Sequence, residues 1–168
     1  MFRIRADFQD QLEVGAKLDR VRAFFANPLN FVGLMPGLEN VSGDVGGVMR
    51  WLVKAEVPVI GSIQQLFAVR QTDDQPHRIE WGPSADEKKN LLKYAAAFEE
   101  AGEERTLVRI AHRVELRRQQ AKELHILATL IGESRLSSEM QKRVTEMMQT
   151  FLKSAGQALE RESTRSDG

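Results

Sequence analysis

His112, Tyr94 and Gln65 are the residues whose side chains could act on a bound molecule. Each falls in an alternating segment: Val108, Ile110, His112, Val114 and Leu116; Leu92, Tyr94, Ala96 and Phe98; Ile63, Gln65, Phe67 and Val69. A repeat of two puts every second residue on one face of a strand. His112, flanked by Ile110 and Val114, is therefore carried inward, where an imidazole without a partner costs about 1–3 kcal/mol. Three roles fit it: a core histidine bonded to Tyr94 or Gln65, a polar anchor for a ligand carbonyl or carboxylate, or a general acid/base that titrates near neutrality.

Much other chemistry is excluded by residue type and spacing. His77, His112 and His125 are the three histidines, and none forms an HxxxH or HExxH pair. No metal site is expected from them. The absence of cysteine removes disulfides, thiolate ligands and a cysteine nucleophile. There is no GxSxG, no P-loop and no GxGxxG after a strand, and Gly43, Gly46 and Gly47 read as a hairpin turn. No cofactor is expected. Lys+Arg and Asp+Glu each number 24, so the 168-residue chain has a net charge of +0 and lacks the basic excess of a nucleic-acid binder. The segment MFRIRADFQDQ carries Arg3, Arg5, Asp7 and Asp10 and does not resemble a signal peptide. No apolar stretch approaches the ~20 residues that cross a bilayer. A cytoplasmic protein without stable membrane insertion is the expectation.

The elements that position these residues follow from the change of period. Phe2, Ile4, Ala6, Phe8, Leu12 and Val14 predict a first strand over Met1–Val14. Leu18, Val21, Phe24 and Phe25 share a helical face, and Asn27-Pro28 stops that helix. Phe31, Leu34 and Met35 predict a second short helix ending before Pro36-Gly37. A meander follows: Glu39–Ser42, Met49–Val57, Ile63–Val69, a turn at Asp73, Asp74 and Pro76, Ile79–Trp81, Leu92–Phe98 and Val108–Leu116. Arg117–Glu123 is a charged connector, and Leu124–Ile131 is a short helix or covering segment. The last helix is predicted from about Ser137, with Ser137 or Ser138 as N-cap, to Leu159.

Alternation assigns the concave face of this sheet to Trp51, Gln65, Phe67, Trp81, Tyr94, Phe98, Ile110 and His112. The final helix turns Met140, Val144, Met147, Met148 and Phe151 toward it. Methionines adapt to variable ligands and also serve as ordinary core. A tilting helix would admit a ligand beside Gly33–Gly37. Asp10 falls on the inward parity of the first strand, which predicts a bulge that turns it outward. Arg109, Arg113, Arg117 and Arg118 read as a solvated edge.

The order strand, two short helices, meander and long C-terminal helix resembles the helix-grip fold of the START/Bet v 1-like (SRPBCC) superfamily. The residues that carry the likeness are Val21-Arg22-Ala23-Phe24-Phe25, Asn27-Pro28, Pro36-Gly37 and Val59-Ile60-Gly61. The nearest branch holds polyketide cyclase/dehydratase-like proteins and the G-type subunits of carbon monoxide dehydrogenase. Ala16 and Arg22 depart from its pattern, and Arg117–Arg135 exceeds the usual link into the last helix, so no family ligand carries over. The resemblance implies a single α+β helix-grip domain over residues 1–160 with a frayed tail at 161–168. It also implies a small-to-medium hydrophobic ligand (lipid, polyketide or isoprenoid-like) bound without catalysis between sheet and helix. Trp51, Gln65, Phe67, Trp81, Tyr94, Phe98, Ile110, His112, Met147 and Phe151 are the expected ligand contacts. One rival is a cyclase/dehydratase-like enzyme using His112 and Tyr94; another is an interaction or assembly factor with no ligand.

Overall fold

The computed structural model describes residues 1–166. Seven strands form one antiparallel sheet: β1 (Phe2–Val14), β2 (Leu38–Gly43), β3 (Val48–Val57), β4 (Gly61–Gln75), β5 (Arg78–Pro83), β6 (Asn90–Gly102) and β7 (Arg105–Arg118). Their order is β1-β7-β6-β5-β4-β3-β2, a meander whose first strand returns to pair with the last. Between β1 and β2 lie helix α1 (Leu18–Ala26) and a 3-10 turn, Pro28–Phe31. After β7 come a 3-10 turn (Ala121–Glu123), the short helix α2 (Ala128–Ile131) and the long helix α3 (Glu133–Ser166). This is an α+β helix-grip architecture.

Each element forms for a local reason. In β1, Phe2, Ile4, Ala6 and Phe8 are buried while Arg3, Arg5, Asp7 and Gln9 face water. In α1, Val21 and Phe25 are fully buried, and Asn27 leaves the helix in an extended conformation. The Asn27 side chain then accepts a hydrogen bond from the Leu29 N–H at 3.2 Å, so the residue before Pro28 both ends one helix and caps the next turn. Helix α3 lies along the β1 edge. Gln141 accepts from the Asp7 N–H at 2.9 Å and donates to the Asp7 carbonyl at 2.7 Å, while Glu160 accepts from the Gly15 N–H at 3.0 Å. These bonds occupy backbone groups that an edge strand would otherwise present. Gly156 permits the close fit: a Cβ there would lie 2.9 Å from Leu12 Cδ2.

The structure corrects several local expectations. The second helix around Phe31–Met35 is a 3-10 turn over Pro28–Phe31 followed by turns, in which the Leu34 and Met35 N–H groups both donate to the Phe31 carbonyl. Asp73 and Asp74 belong to β4, because a bulge between Gln71 and Asp73 bends the strand without ending it. Arg22 pairs with Asp74 and Arg78 with Asp73, and the turn falls at Pro76-His77. Helix α3 begins at Glu133, immediately after Gly132 at φ 89°, so Ser137 and Ser138 lie inside it and neither caps it. At its other end α3 continues past Leu159, its expected end, to Ser166; residues 167 and 168 lie outside the described residues. Finally, Asp10 is exposed without any bulge, since β1 keeps unbroken register with β7 from Phe2↔Arg118 to Val14↔Thr106.

Gly37 brings the turn after Phe31 close against β3. Its φ is +85°, a Cβ would sit 2.6 Å from the Lys54 carbonyl oxygen, and its own carbonyl accepts from the Lys54 N–H at 2.8 Å. The Gly37→Ala variant is expected to lose at least about 2 kcal/mol, from left-handed strain and collision with a backbone atom that cannot swing away. Urea unfolding checks this; a midpoint equal to the wild type's would mean that Gly37 does not make this approach.

Candidate functional site

The space between sheet and helix is divided into a solid half and a hollow half. Phe31 stands at the division, fully buried, with its ring centroid 4.7 Å from Phe151, 5.7 Å from Tyr94 and 5.8 Å from Trp51. Beyond it Phe25 packs on Phe98 and Phe151, each at 6.1 Å. On the other side of Trp51 a cavity of about 460 Å³ opens. Its sheet wall carries Trp51, Val53, Phe67, Leu92, His112 and Val114, and its helix wall Leu136, Met140, Val144 and Met147. Pro36 and Gly37 close one side, and Leu124 from the connector closes another. The charged side chains of the lining are Lys54 and Glu56 on β3 and Arg143 and Glu146 on α3; Lys54, Glu56 and Glu146 are exposed, whereas Arg143 Nε is buried without a partner among the described residues. Arg143 pairs with Glu146 at 3.5 Å.

Two polar side chains enter the cavity from the sheet. His112 is 3% exposed, and neither ring nitrogen has a hydrogen-bond partner among the described residues. Burial pushes its pKa from 6.5 down to about 4, so the ring is neutral near neutral pH. Gln65 is committed: its Oε1 accepts from Asn90 Nδ2 and Arg118 Nη2, both at 3.0 Å. The Tyr94 hydroxyl is buried and unpartnered, and burial holds it well above its ordinary pKa. Tyr94 and His112 are ladder neighbours with ring centroids 6.5 Å apart, yet no hydrogen bond joins them. The expected core pairing of His112 with Tyr94 or Gln65 is not made: both imidazole nitrogens lack a partner among the described residues, the Gln65 oxygen is engaged by Asn90 and Arg118, and the two rings meet edge to face.

The sequence matches no protein-family model, and comparison with curated proteins gives no match. Solved structures do match. The Zhui aromatase/cyclase from Streptomyces sp. R1128 superposes with a TM-score of 0.70 at 16% identity, over 95% of this chain and 96% of that one. A START superfamily protein from Mycobacterium smegmatis gives 0.62 at 13% identity, over 92% and 97%. This chain has the START-like (SRPBCC) fold. The StfQ di-domain aromatase/cyclase of the steffimycin biosynthetic pathway gives 0.64 at 14% identity; it covers 96% of this chain, which spans about half (52%) of that longer protein.

Within the START-like fold the ten residues expected at the ligand separate by depth. Trp51, Gln65, Phe67, His112 and Met147 line the cavity. Trp81, Tyr94, Phe98, Ile110 and Phe151 are buried and are not part of its lining. The sheet members share one face by register; Phe31 packs against Tyr94 and Phe151 and borders Trp51, which faces open space.

Sequence reasoning missed the polar cluster beside the cavity. Arg118 is not on a solvated edge. It is 9% exposed, and its guanidinium donates to the Lys89 and Arg117 carbonyls and to the side-chain oxygens of Gln65 and Asn90, at 2.8–3.2 Å. Burial lowers its pKa from the ordinary arginine range. A signal for this exists in the sequence, since the alternation through His112, Val114 and Leu116 continues to residue 118. Arg109 and Arg113 do lie outside, paired with Glu99 and Asp7.

Proposed function

We propose that this chain binds a small-to-medium apolar molecule in the cavity beside Trp51, as a cytoplasmic carrier without chemistry of its own. The observation that carries this reading is a cavity of about 460 Å³ whose walls are mostly aliphatic, aromatic and methionine side chains, with charged side chains only at Lys54, Glu56, Arg143 and Glu146. That volume lies in the range of small-molecule sites, and such sites are largely apolar with few polar groups. Among the described residues no cluster of His, Asp or Glu could hold a metal ion, and no helix is long and apolar enough to cross a membrane.

Solved structures with this fold include aromatase/cyclases. The corresponding enzyme reading here would require Tyr94 and His112 to act together on one substrate. It has less support, because the Tyr94 hydroxyl does not line the cavity and makes no bond to the imidazole. The reading as an interaction module without a ligand has less support too, because the helix leaves this part of the sheet unfilled.

Titration with N-phenyl-1-naphthylamine, a neutral fluorophore that brightens in apolar surroundings, tests the proposal. Saturable binding at one site is expected. Met140→Trp, which places a large ring in the cavity, is expected to weaken binding about tenfold or more, a loss of at least about 1.4 kcal/mol. Fluorescence that never saturates, or that Met140→Trp leaves unaltered, would refute binding in this cavity.

A further inference from the structure

Given that the cavity takes an apolar molecule, the polarity of its deep wall narrows the class. We propose that the ligand carries an uncharged oxygen function, a hydroxyl or a carbonyl, and enters with that end first so that the oxygen meets His112. His112 lines the cavity, is 3% exposed, and offers two ring nitrogens with no partner among the described residues. On the helix wall Arg143 Nε is also buried without a partner among the described residues, while the same guanidinium pairs with Glu146 through Nη1. The Gln65 Oε1 is held by Asn90 and Arg118, and Tyr94 lies outside the lining. A further unpartnered donor, Trp51 Nε1, belongs to a residue of the same wall as His112.

A neutral imidazole has one N–H donor and one acceptor nitrogen. A carbonyl can take the donor, and a hydroxyl can use either nitrogen. A carboxylate at the imidazole would lie against a sheet wall whose other members include Phe67, Leu92 and Val114, where burying its charge is costly. The Arg118 guanidinium does not supply a balancing cation, since it is outside the lining and already donates to four oxygens. The cations of the lining are Lys54 on β3 and Arg143 on α3, neither on the strand that carries His112, so an acid would bind with its head toward them in place of His112.

The test compares naphthalene, 2-naphthol, 2-acetylnaphthalene and 2-naphthoate at pH 7 as competitors for N-phenyl-1-naphthylamine. The wild type is expected to bind the naphthol or the ketone at least about fivefold more tightly than naphthalene, the scale of one net hydrogen bond. In His112→Leu the ratio should fall to about one. Independently of any variant, the His112 ring ¹⁵N resonances should move on adding the oxygen-bearing probe and stay in place with naphthalene. Equal affinities for naphthalene and both oxygen-bearing probes, a preference that survives His112→Leu, unmoved ring resonances, or strongest binding of naphthoate would overturn the inference while leaving an apolar cavity intact. Failure of every probe, naphthalene included, would overturn the cavity reading and the inference together.

Discussion

Phe31→Ala is expected to unfold with about 3–5 kcal/mol less stability than the wild type, the range for removing a buried aromatic ring. Phe31 has no exposed surface, and its ring lies within 4.7–6.3 Å of those of Phe24, Phe25, Trp51, Tyr94 and Phe151. The ring comes from a 3-10 turn, where Asn27 and Pro28 fix the backbone; its neighbours come from α1, β3, β6 and α3. Deleting it leaves a void bordered by four elements whose backbones are held by other bonds, so collapse into the gap is limited. The loss is measured from urea unfolding curves with an unchanged slope. A deficit under about 1 kcal/mol would mean that this ring does not hold the two halves apart. Phe31→Leu keeps most of the apolar volume and should fall between the two.

The second large effect is a loss of stability in acid. His112 has a native pKa of about 4 against 6.5 when exposed, so between these values the unfolded chain binds a proton that the native chain refuses. Stability therefore rises with pH across this window. The contribution is complete above about pH 6.5, declines as pH falls, and is exhausted below about pH 4. Its full size is about 3 kcal/mol. Carboxylates titrate at the acid end of the same window, so the informative quantity is the difference between wild type and His112→Leu. The wild-type curve should fall more steeply from pH 6.5 to 4. Parallel curves would show that the imidazole is solvated in the native protein.

The same two residues mark how far the sequence can be read. Period two assigns a face, and it puts Trp51, Phe67, Tyr94 and His112 on the concave side together. It carries no information on depth along the strand. Tyr94 and His112 are ladder partners, yet one faces the plug and the other the cavity, because Phe31 arrives from a different element. Phe31 itself reads as part of a short helix, and nothing in its own segment states how far across the sheet its ring extends. Arg118 escapes a sequence reading for another reason. The alternation puts it inside, but a guanidinium is buried only where oxygens await it, and these come from Gln65, Lys89 and Asn90 on distant stretches of chain.

The pairing of β1 with β7 sets an order of events in synthesis. Phe2 meets Arg118 and Val14 meets Thr106, so the earliest of the seven strands has no partner until the last has been translated. Contacts so distant in sequence form slowly, since a long loop must close before any of them stabilises the chain. On the ribosome the apolar row Phe2, Ile4, Ala6 and Phe8 is therefore available to chaperones, or to misplaced strands, until β7 emerges. Gln141 of α3 engages the free edge of that strand later still. The helix that walls the cavity is thus also the latch that ends the nascent chain's exposure.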